Sequence, residues 1–248
     1  MKRLVFIYLL SAVSIFASTI NIAVAANVSF VIKEIKKEFY KSNPDIQVDV
    51  TVGSSGKLAS MISHNAPYHI YMSANMDYPN TLYQKGFATT KPKVYAKGAL
   101  SLISSKQLDF SKGLDLIKDK SIKKIAVANP KTAPYGVATK EALLNAKLYE
   151  SLKDKFVYGE SIAQTVLYAT RIADLGFIAK SALFSSKLSH FKEGVNYIDV
   201  DLKLYKPIDQ GIVMLKHGDK NRDVLSFYDF ILSDKAKEIF KNFGYILP

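Results

Sequence analysis

The chain has 248 residues, no cysteine and a formal net charge of +12. The lack of cysteine excludes disulfides, thiol catalysis and thiolate metal sites. The positive charge favours anionic partners. The lysines are spread out, however, and no arginine-rich arm or RNA-recognition motif is present, so nucleic acid is not an expected partner. A chain of this length can build one large domain or two small ones.

The N-terminus has the pattern of a signal peptide. A basic start, Met1–Arg3, precedes the uncharged apolar run Leu4–Ala17, which is long enough for a signal-peptide core and short for a membrane span. We predict a signal peptide over residues 1–18, cleaved after Ala17 or Ser18, and export to the periplasm. An uncleaved anchor is the alternative. Loss of Lys2 and Arg3 leaves a net charge of +10.

Strands and helices alternate through the remaining chain. Apolar residues at helical spacing mark the first helix, and alternating valines mark the strand that follows it. The predicted elements, in chain order, are a strand over 20–26, a helix over 28–39, a strand over 46–52, a helix over 57–65, a strand over 68–73, a helix over 77–86, a strand over 125–128, a helix from about 135, a helix over 161–172, a strand over 175–179 and a helix over 221–243. This rhythm predicts an α/β fold of mostly parallel sheets covered by helices. Ligands of such folds bind where strand ends meet helix starts.

The stretch VGSSGKLAS, residues 52–60, has the small, flexible residues of an anion-binding loop. A nucleotide-binding P-loop needs four residues between its glycines and a Ser or Thr after its lysine. Here two serines separate Gly53 from Gly56, and Leu58 follows Lys57, so the hydroxyl that would bind Mg²⁺ is missing. A plain strand-to-helix turn, with glycine relieving strain and serine capping the helix, remains the alternative to an anion site.

No sequence motif predicts an enzyme. The four histidines have no zinc-protease spacing, no acidic run resembles a calcium loop, and no nucleophile elbow is present. We therefore predict no catalytic residue, no cofactor and no resident metal site. A secreted serine hydrolase that uses Ser54 or Ser55 is a remote alternative, since its base would have to come from a distant segment.

Three further segments repeat the architecture of the first loop. ANPKTAPYGVATK, residues 128–140, also follows a strand and opens a helix, as do residues 25–28 and residues 159–162. Backbone N–H groups at a helix start lack intrahelical acceptors and carry partial positive charge, which suits anions. Four such starts are able to converge on one small anion.

With these blocks in view, the sequence resembles the periplasmic molybdate-binding proteins that serve ABC importers. The resemblance runs through essentially the whole mature chain. It is carried by INIAVAAN, VGSSGKLASMI, NAPYHIYMSANMDYPNTLYQKGFA, IAVANPKTAPYGVATKEAL, ESIAQTVLYATRIADLGFIAKSAL and YKPIDQGIVML.

The resemblance implies a type II periplasmic-binding fold with two lobes and an inter-lobe ligand cleft. Lobe I would comprise residues 19–97 plus 209–248, and lobe II residues 98–208. The protein would capture molybdate, and tungstate as well, as a monomer and deliver it to an ABC permease and its ATPase.

The resemblance also implies the ligand-binding residues, namely Asn27, Ser55, Tyr135 and Ile162. At Ser55 both the hydroxyl and the amide are kept, whereas Tyr135 and Ile162 would contribute backbone amides. Asn27 replaces a serine, so that its side-chain amide or its backbone N–H must stand in for the hydroxyl. A tyrosine found in some members falls on Ala179, which leaves the fifth contact open, and Lys180 follows. His69 stands where some members have aspartate.

A shell of neutral donors is sufficient for a dianion. Several amides and hydroxyls aligned by helix starts can replace its hydration shell through charge-assisted hydrogen bonds. A donor-only site disfavours protonated phosphate, whose O–H would find no acceptor. The alternatives within the binding class are tungstate as the main ligand, sulfate or phosphate. Iron would require clustered tyrosine and carboxylate ligands, which these loops lack.

Overall fold

The computed structural model describes residues 18–248, and all of the predicted signal peptide except Ser18 lies outside that range. The strands are β1 Ser18–Ala25, β2 Ile46–Gly53, β3 Ile70–Met72, β4 Lys93–Gly98, β5 Leu100–Ile103, β6 Ile125–Ala128, β7 Phe156–Gly159, β8 Leu175–Ala179, β9 Tyr197–Asp199 and β10 Ile208–Met214. The helices are α1 Ile32–Tyr40, α2 Ser55–Ser63, α3 Asp77–Gln84, α4 Pro134–Asn145, α5 Tyr149–Leu152, α6 Ile162–Arg171, α7 Arg222–Leu232 and α8 Asp234–Asn242. In this range no helix is both long enough and apolar enough to cross a membrane.

The strands form two five-stranded sheets. The first has the order β2-β1-β3-β10-β4 and the second the order β7-β6-β8-β5-β9. In each sheet three neighbouring strands run parallel, namely β2, β1 and β3 in the first and β7, β6 and β8 in the second. The remaining pairs are antiparallel. The α/β class is therefore confirmed, but the sheets are mixed rather than mostly parallel.

The chain passes between the sheets at two places. Strand β4 ends at Gly98 in the first sheet, and β5 begins at Leu100 in the second. The return runs from β9, which ends at Asp199 in the second sheet, to β10, which begins at Ile208 in the first. We call these two connections the crossing segments. They meet in the first sheet, where Ile208 pairs with Gly98.

Each sheet has its own apolar core. Helices α1, α7 and α8 pack on the first sheet through buried aromatic residues, and Phe39 contacts Phe227 with ring centroids 5.0 Å apart in an edge-to-face arrangement. The second sheet is covered by α4 through Ala142 and Leu143, which are fully buried. Because each sheet packs against its own helices, a ligand is expected in the space between the two sheets.

Several predicted helix boundaries were wrong. The first helix is split into a 3₁₀ turn over Ala26–Phe30 and α1. The predicted last helix is two helices, because Ser233 has extended backbone (φ −71°, ψ 158°) and its hydroxyl caps α8 by accepting from Ala236 N–H. Helix α2 begins at Ser55, two residues before the predicted start. This last difference places Ser55 in the first turn, with its amide free of an intrahelical acceptor.

Candidate functional site

The four residues inherited from the family resemblance lie around one small cavity between the two sheets. Its interior has about 10 Å³ of space for the centre of a water molecule, which is room for about one water. Pockets for drug-sized ligands are larger, at about 300–1,000 Å³, so the cavity suits a small solute and not a nucleotide. The lining residues are Ala25, Ala26, Asn27, Ser54, Ser55, Ala74, Ala133, Pro134, Tyr135 and Ile162.

Each of the four residues lies in the first turn of a helix. Asn27 is in the 3₁₀ turn after β1, Ser55 opens α2, and Ile162 opens α6. Tyr135 follows Pro134, which has no N–H, so its amide is the first donor of α4. Among the described residues, none of these four amides donates to a carbonyl outside its own helix. First-turn amides also lack an acceptor within the helix, so all four are available to a ligand.

The Ser55 hydroxyl is oriented by its neighbours. Its Oγ accepts a hydrogen bond from Ala74 N–H at 3.0 Å, which leaves the hydroxyl proton free to be donated elsewhere. The Tyr71 hydroxyl donates to the Ser55 carbonyl at 2.7 Å and holds the start of α2 against β3. Ser55 is only 1% exposed. A buried hydroxyl with its acceptor side occupied is suited to donating to an anion.

Ser54 is a lining residue whose role the sequence reasoning missed. It occupies the N-cap position of α2, yet its side chain makes no capping hydrogen bond. The residue is 6% exposed, and its hydroxyl covers none of the first-turn amides of α2. A capping serine ordinarily accepts from a first-turn amide, so Ser54 leaves these amides uncovered. The second serine of the GSSG loop was the only available signal for it.

The Asn27 side-chain amide donates its hydrogen bonds to other residues of the protein. Its Nδ2 donates to Gln210 Oε1 at 2.8 Å and to the Tyr245 hydroxyl at 2.9 Å. Gln210 cannot reverse its amide without loss, because its Nε2 donates to the Ile208 carbonyl at 2.8 Å. Of the two possibilities that the sequence left open for Asn27, the structure therefore favours the backbone N–H over the side-chain amide.

Helix α6 begins with a capped turn. The Ser161 hydroxyl accepts from Gln164 N–H at 3.3 Å, and the Gln164 side chain accepts from Glu160 N–H at 2.6 Å. These two bonds satisfy amides on either side of Ile162 and leave its own amide free. The Ile162 side chain is 3% exposed, so the residue seals the cavity as well as lining it.

No formal charge lines the cavity. Lys57, in the opening loop, is exposed, as expected from the sequence. Ala179 is fully buried and does not line the cavity, and the amino group of Lys180 pairs with Asp199. Lys180 therefore does not take the place of the missing tyrosine. Burial raises the pKa of the Tyr135 phenol well above its usual value, so that this side chain stays neutral.

The two sheets are in contact over the cavity. Gly56 N–H in α2 donates to the Thr132 carbonyl before α4 at 2.9 Å. A wider groove of about 450 Å³ shares Ala74 and Pro134 with the cavity, and its wall carries Lys206 together with Asp77, Glu141 and Asp209. The three carboxylates outnumber the one lysine and repel anions, so the smaller neutral cavity is the better anion site.

The histidines lie outside the cavity. His69 Nδ1 accepts from Asn21 N–H at 3.1 Å, and burial lowers its pKa, which keeps the ring neutral. This gives His69 a structural role beside β1.

The cavity lining contains no histidine or carboxylate that would serve as a general base for Ser54 or Ser55. Among the described residues no group of three histidine, aspartate or glutamate side chains is placed to hold a metal ion.

Comparisons with known proteins bear on the family and the fold. The family model of bacterial extracellular solute-binding proteins matches residues 20–246. A molybdate-binding protein of Azotobacter vinelandii is 34% identical over 92% of this chain and 90% of its own length. One from Rhodobacter capsulatus is 34% identical over 93% and 89%. The solved periplasmic molybdate-binding protein of A. vinelandii superposes with a TM-score of 0.85 at 27% identity, covering 92% of this chain and 99% of the other.

Proposed function

Because the chain belongs to the family of bacterial extracellular solute-binding proteins, we propose that it captures molybdate in the cavity between its two sheets and hands it to an ABC importer. It is a binding protein and not an enzyme, in line with its relatives. The observation that carries the proposal is the convergence of four free helix-start amides on one small uncharged cavity.

In this proposal the oxyanion accepts hydrogen bonds only. The donors are the backbone amides of Asn27, Ser55, Tyr135 and Ile162 together with the Ser55 hydroxyl. The hydroxyl of Ser54, a lining residue of the cavity, is the candidate for the donor that Ala179 lacks. Hydrogen bonds to a charged acceptor are about twice as strong as neutral ones, and together they offset the loss of the dianion's water shell.

Selectivity follows from donor count and cavity size. A protonated oxyanion would present an O–H to donors alone, so hydrogen phosphate is disfavoured. Tungstate is close to molybdate in size and charge, and we propose that it binds as well. Sulfate and phosphate remain the competing ligands, because the absence of a hydroxyl at Ala179 alters the shell that the family resemblance implies.

The cellular role follows from the same relatives. We propose that residues 1–18 direct export to the periplasm, where the protein acts as a monomer and delivers its ligand to a permease and an ATPase at the inner membrane. The lobes would be residues 19–97 with 209–248 and residues 98–208, joined by the two crossing segments. Closure of the lobes over the anion is a hinge motion around these segments.

A thermal-shift titration of the mature protein tests the ligand. At a concentration of about 100 times the dissociation constant, a ligand stabilises the folded state by about 2.7 kcal/mol. For a chain of this size we expect molybdate to raise the melting temperature by roughly 5–10 °C. Equimolar sulfate should produce little change. A sulfate shift as large as the molybdate shift would overturn the proposed specificity.

A further inference from the structure

Tyr135 connects the cavity with the crossing segments. The residue lines the cavity and is 1% exposed, and its phenol oxygen lies beside Gly98 at the end of β4. A Cβ atom at Gly98 would overlap the Tyr135 hydroxyl and would lie 2.9 Å from its Cζ. The same atom would lie 2.9 Å from Gln210 Nε2. The hydroxyl is therefore seated in the space that Gly98 leaves by having no side chain, next to Gln210.

Asn27, in the turn after β1, is hydrogen-bonded to the same Gln210. Its amide donates to Gln210 Oε1 at 2.8 Å, and both residues are fully buried. The Asn27 Oδ1 atom is left buried without a hydrogen-bond partner among the described residues. A buried unpaired oxygen costs free energy, so the orientation of this amide is set by the bonds that its Nδ2 makes to Gln210 and Tyr245 and not by the satisfaction of its oxygen.

Residues at the ends of the two crossing segments thus lie beside residues from opposite walls of the cavity. Gly98 ends β4, where the first segment begins, and Gln210 lies in β10, two residues after the second segment ends at Ile208. The Tyr135 phenol comes from α4 over the second sheet, and Asn27 comes from the turn after β1 in the first. The Asn27 carbonyl also accepts from Ser181 Oγ at 3.3 Å, which brings a second residue from the side of the second sheet to this point.

We propose that Gly98, Gln210 and the Tyr135 phenol form a positioning group, which we call the crossing seat. The seat fixes the start of α4 against the turn after β1, so that the Tyr135 and Asn27 amides face one anion when the lobes are closed. None of the three side-chain positions touches the anion. This inference rests on the proposed function, since it concerns how the oxyanion site is assembled.

Three variants test the crossing seat. Gly98→Ala fills the seat, Tyr135→Phe removes the overlapping hydroxyl while keeping the backbone amide, and the double variant combines the two changes. Tyr228→Phe is the matched control, because it also removes the hydroxyl of a buried tyrosine, in α7 and outside the cavity lining. Molybdate affinity is measured by calorimetry at a temperature where each variant is folded.

Lobe closure is measured in the same variants by distances between spin labels. The chain has no cysteine, so Lys57→Cys and Lys131→Cys give two unique label sites. Both positions are exposed and adjoin the Gly56–Thr132 contact between the sheets. Every variant carries the same label pair, so differences in distance report the seat alone.

We expect Gly98→Ala to weaken molybdate binding by at least about tenfold and to lengthen the label distance. Tyr135→Phe alone should have a smaller effect. The double variant should bind more tightly than Gly98→Ala, because its most severe overlap, with the Tyr135 hydroxyl, is removed while the 2.9 Å approaches to Cζ and Gln210 Nε2 remain, and this non-additivity marks direct coupling. Tyr228→Phe should leave affinity unchanged even where it lowers stability.

A Gly98→Ala variant with wild-type affinity and label distance would overturn the crossing seat and leave the proposed function standing. Additive effects in the double variant would also overturn it. If Gly98→Ala does not fold, Tyr135→Phe and Gln210→Ala decide by the same two measurements. If the wild-type protein binds no oxyanion, the proposed function fails, and an unchanged label distance in unliganded Gly98→Ala then overturns the seat separately.

Discussion

Ser55 shows how one residue serves both the fold and the ligand. Its Oγ accepts from Ala74 N–H, its carbonyl accepts from Tyr71, and its amide and hydroxyl proton remain free. The bonds that Ala74 and Tyr71 make to the Oγ and the carbonyl hold Ser55 in place. They therefore orient its free hydroxyl proton and its free amide. A hydroxyl held in this way loses little entropy when an anion arrives, which favours tight binding.

Replacing Ser55 with alanine removes the hydroxyl and leaves the Ala74 amide without its acceptor. We expect molybdate binding to weaken by about 1.5–3 kcal/mol, the contribution of one hydrogen bond to a charged group. Titration calorimetry measures this loss. Ser60→Ala, on the exposed face of the same helix, is the control and should bind as the wild-type protein does. Unchanged affinity in Ser55→Ala would remove this hydroxyl from the site.

His69 and Lys180 acquire structural explanations. His69 takes the place of an aspartate in some relatives and here accepts from Asn21 N–H with a ring nitrogen, a task that a carboxylate oxygen also performs. Lys180 pairs with Asp199, which in turn accepts from Ser101 at 2.8 Å, so it ties β8 to β9 across β5. Neither residue needs a ligand to account for its presence.

At the scale of elements, the site consists of helix starts, and capping decides where they point. Ser161 caps α6 next to the cavity, and Ser233 caps α8 on the far side of the first sheet. Both hydroxyls accept from a third-position amide at 3.3 Å. The two caps share this bond, although the Ser233 hydroxyl also donates to the Phe230 carbonyl at 2.6 Å, and only Ser161 is followed by a cavity-lining residue.

This pair of caps yields a prediction for α6. Ser161→Ala and Ser233→Ala should each lower the free energy of unfolding by about 0.5–2 kcal/mol, as expected for the loss of an N-cap. Only Ser161→Ala should also weaken molybdate binding, because the first turn that presents the Ile162 amide frays. Urea unfolding and calorimetry separate the two effects. Equal affinities in the two variants would show that the cap does not orient Ile162.

At the scale of the whole molecule, local patterns predicted the parts of the site but not how they are joined. Strand ends followed by small residues are visible in the sequence, and the family resemblance selected Asn27, Ser55, Tyr135 and Ile162 within them, which lie around one cavity. Gln210 had no such signal, because its bond to Asn27 spans 183 positions. Strand β5, Leu100–Ile103, is buried at every position and shows no alternation, so it was not among the strands predicted from periodicity.

The net charge of the molecule and the neutrality of the cavity act on different steps of binding. The charge of +12, or +10 without Lys2 and Arg3, attracts a dianion from a distance. Salt screens that attraction, whereas hydrogen bonds inside a buried cavity are screened much less. We therefore expect added salt to lower the association rate and to change the dissociation rate little.

We expect the association rate of molybdate to fall roughly tenfold between 10 mM and 500 mM salt, with a nearly constant dissociation rate. Stopped-flow tyrosine fluorescence measures both, since the chain has fifteen tyrosines and no tryptophan. Replacing Lys57 and Lys131 beside the Gly56–Thr132 contact with glutamine should slow association and flatten its salt dependence. Lys91→Gln, an exposed lysine elsewhere, should change neither. A dissociation rate that rises steeply with salt would instead place a charged group in contact with the bound anion and contradict the neutral-donor site.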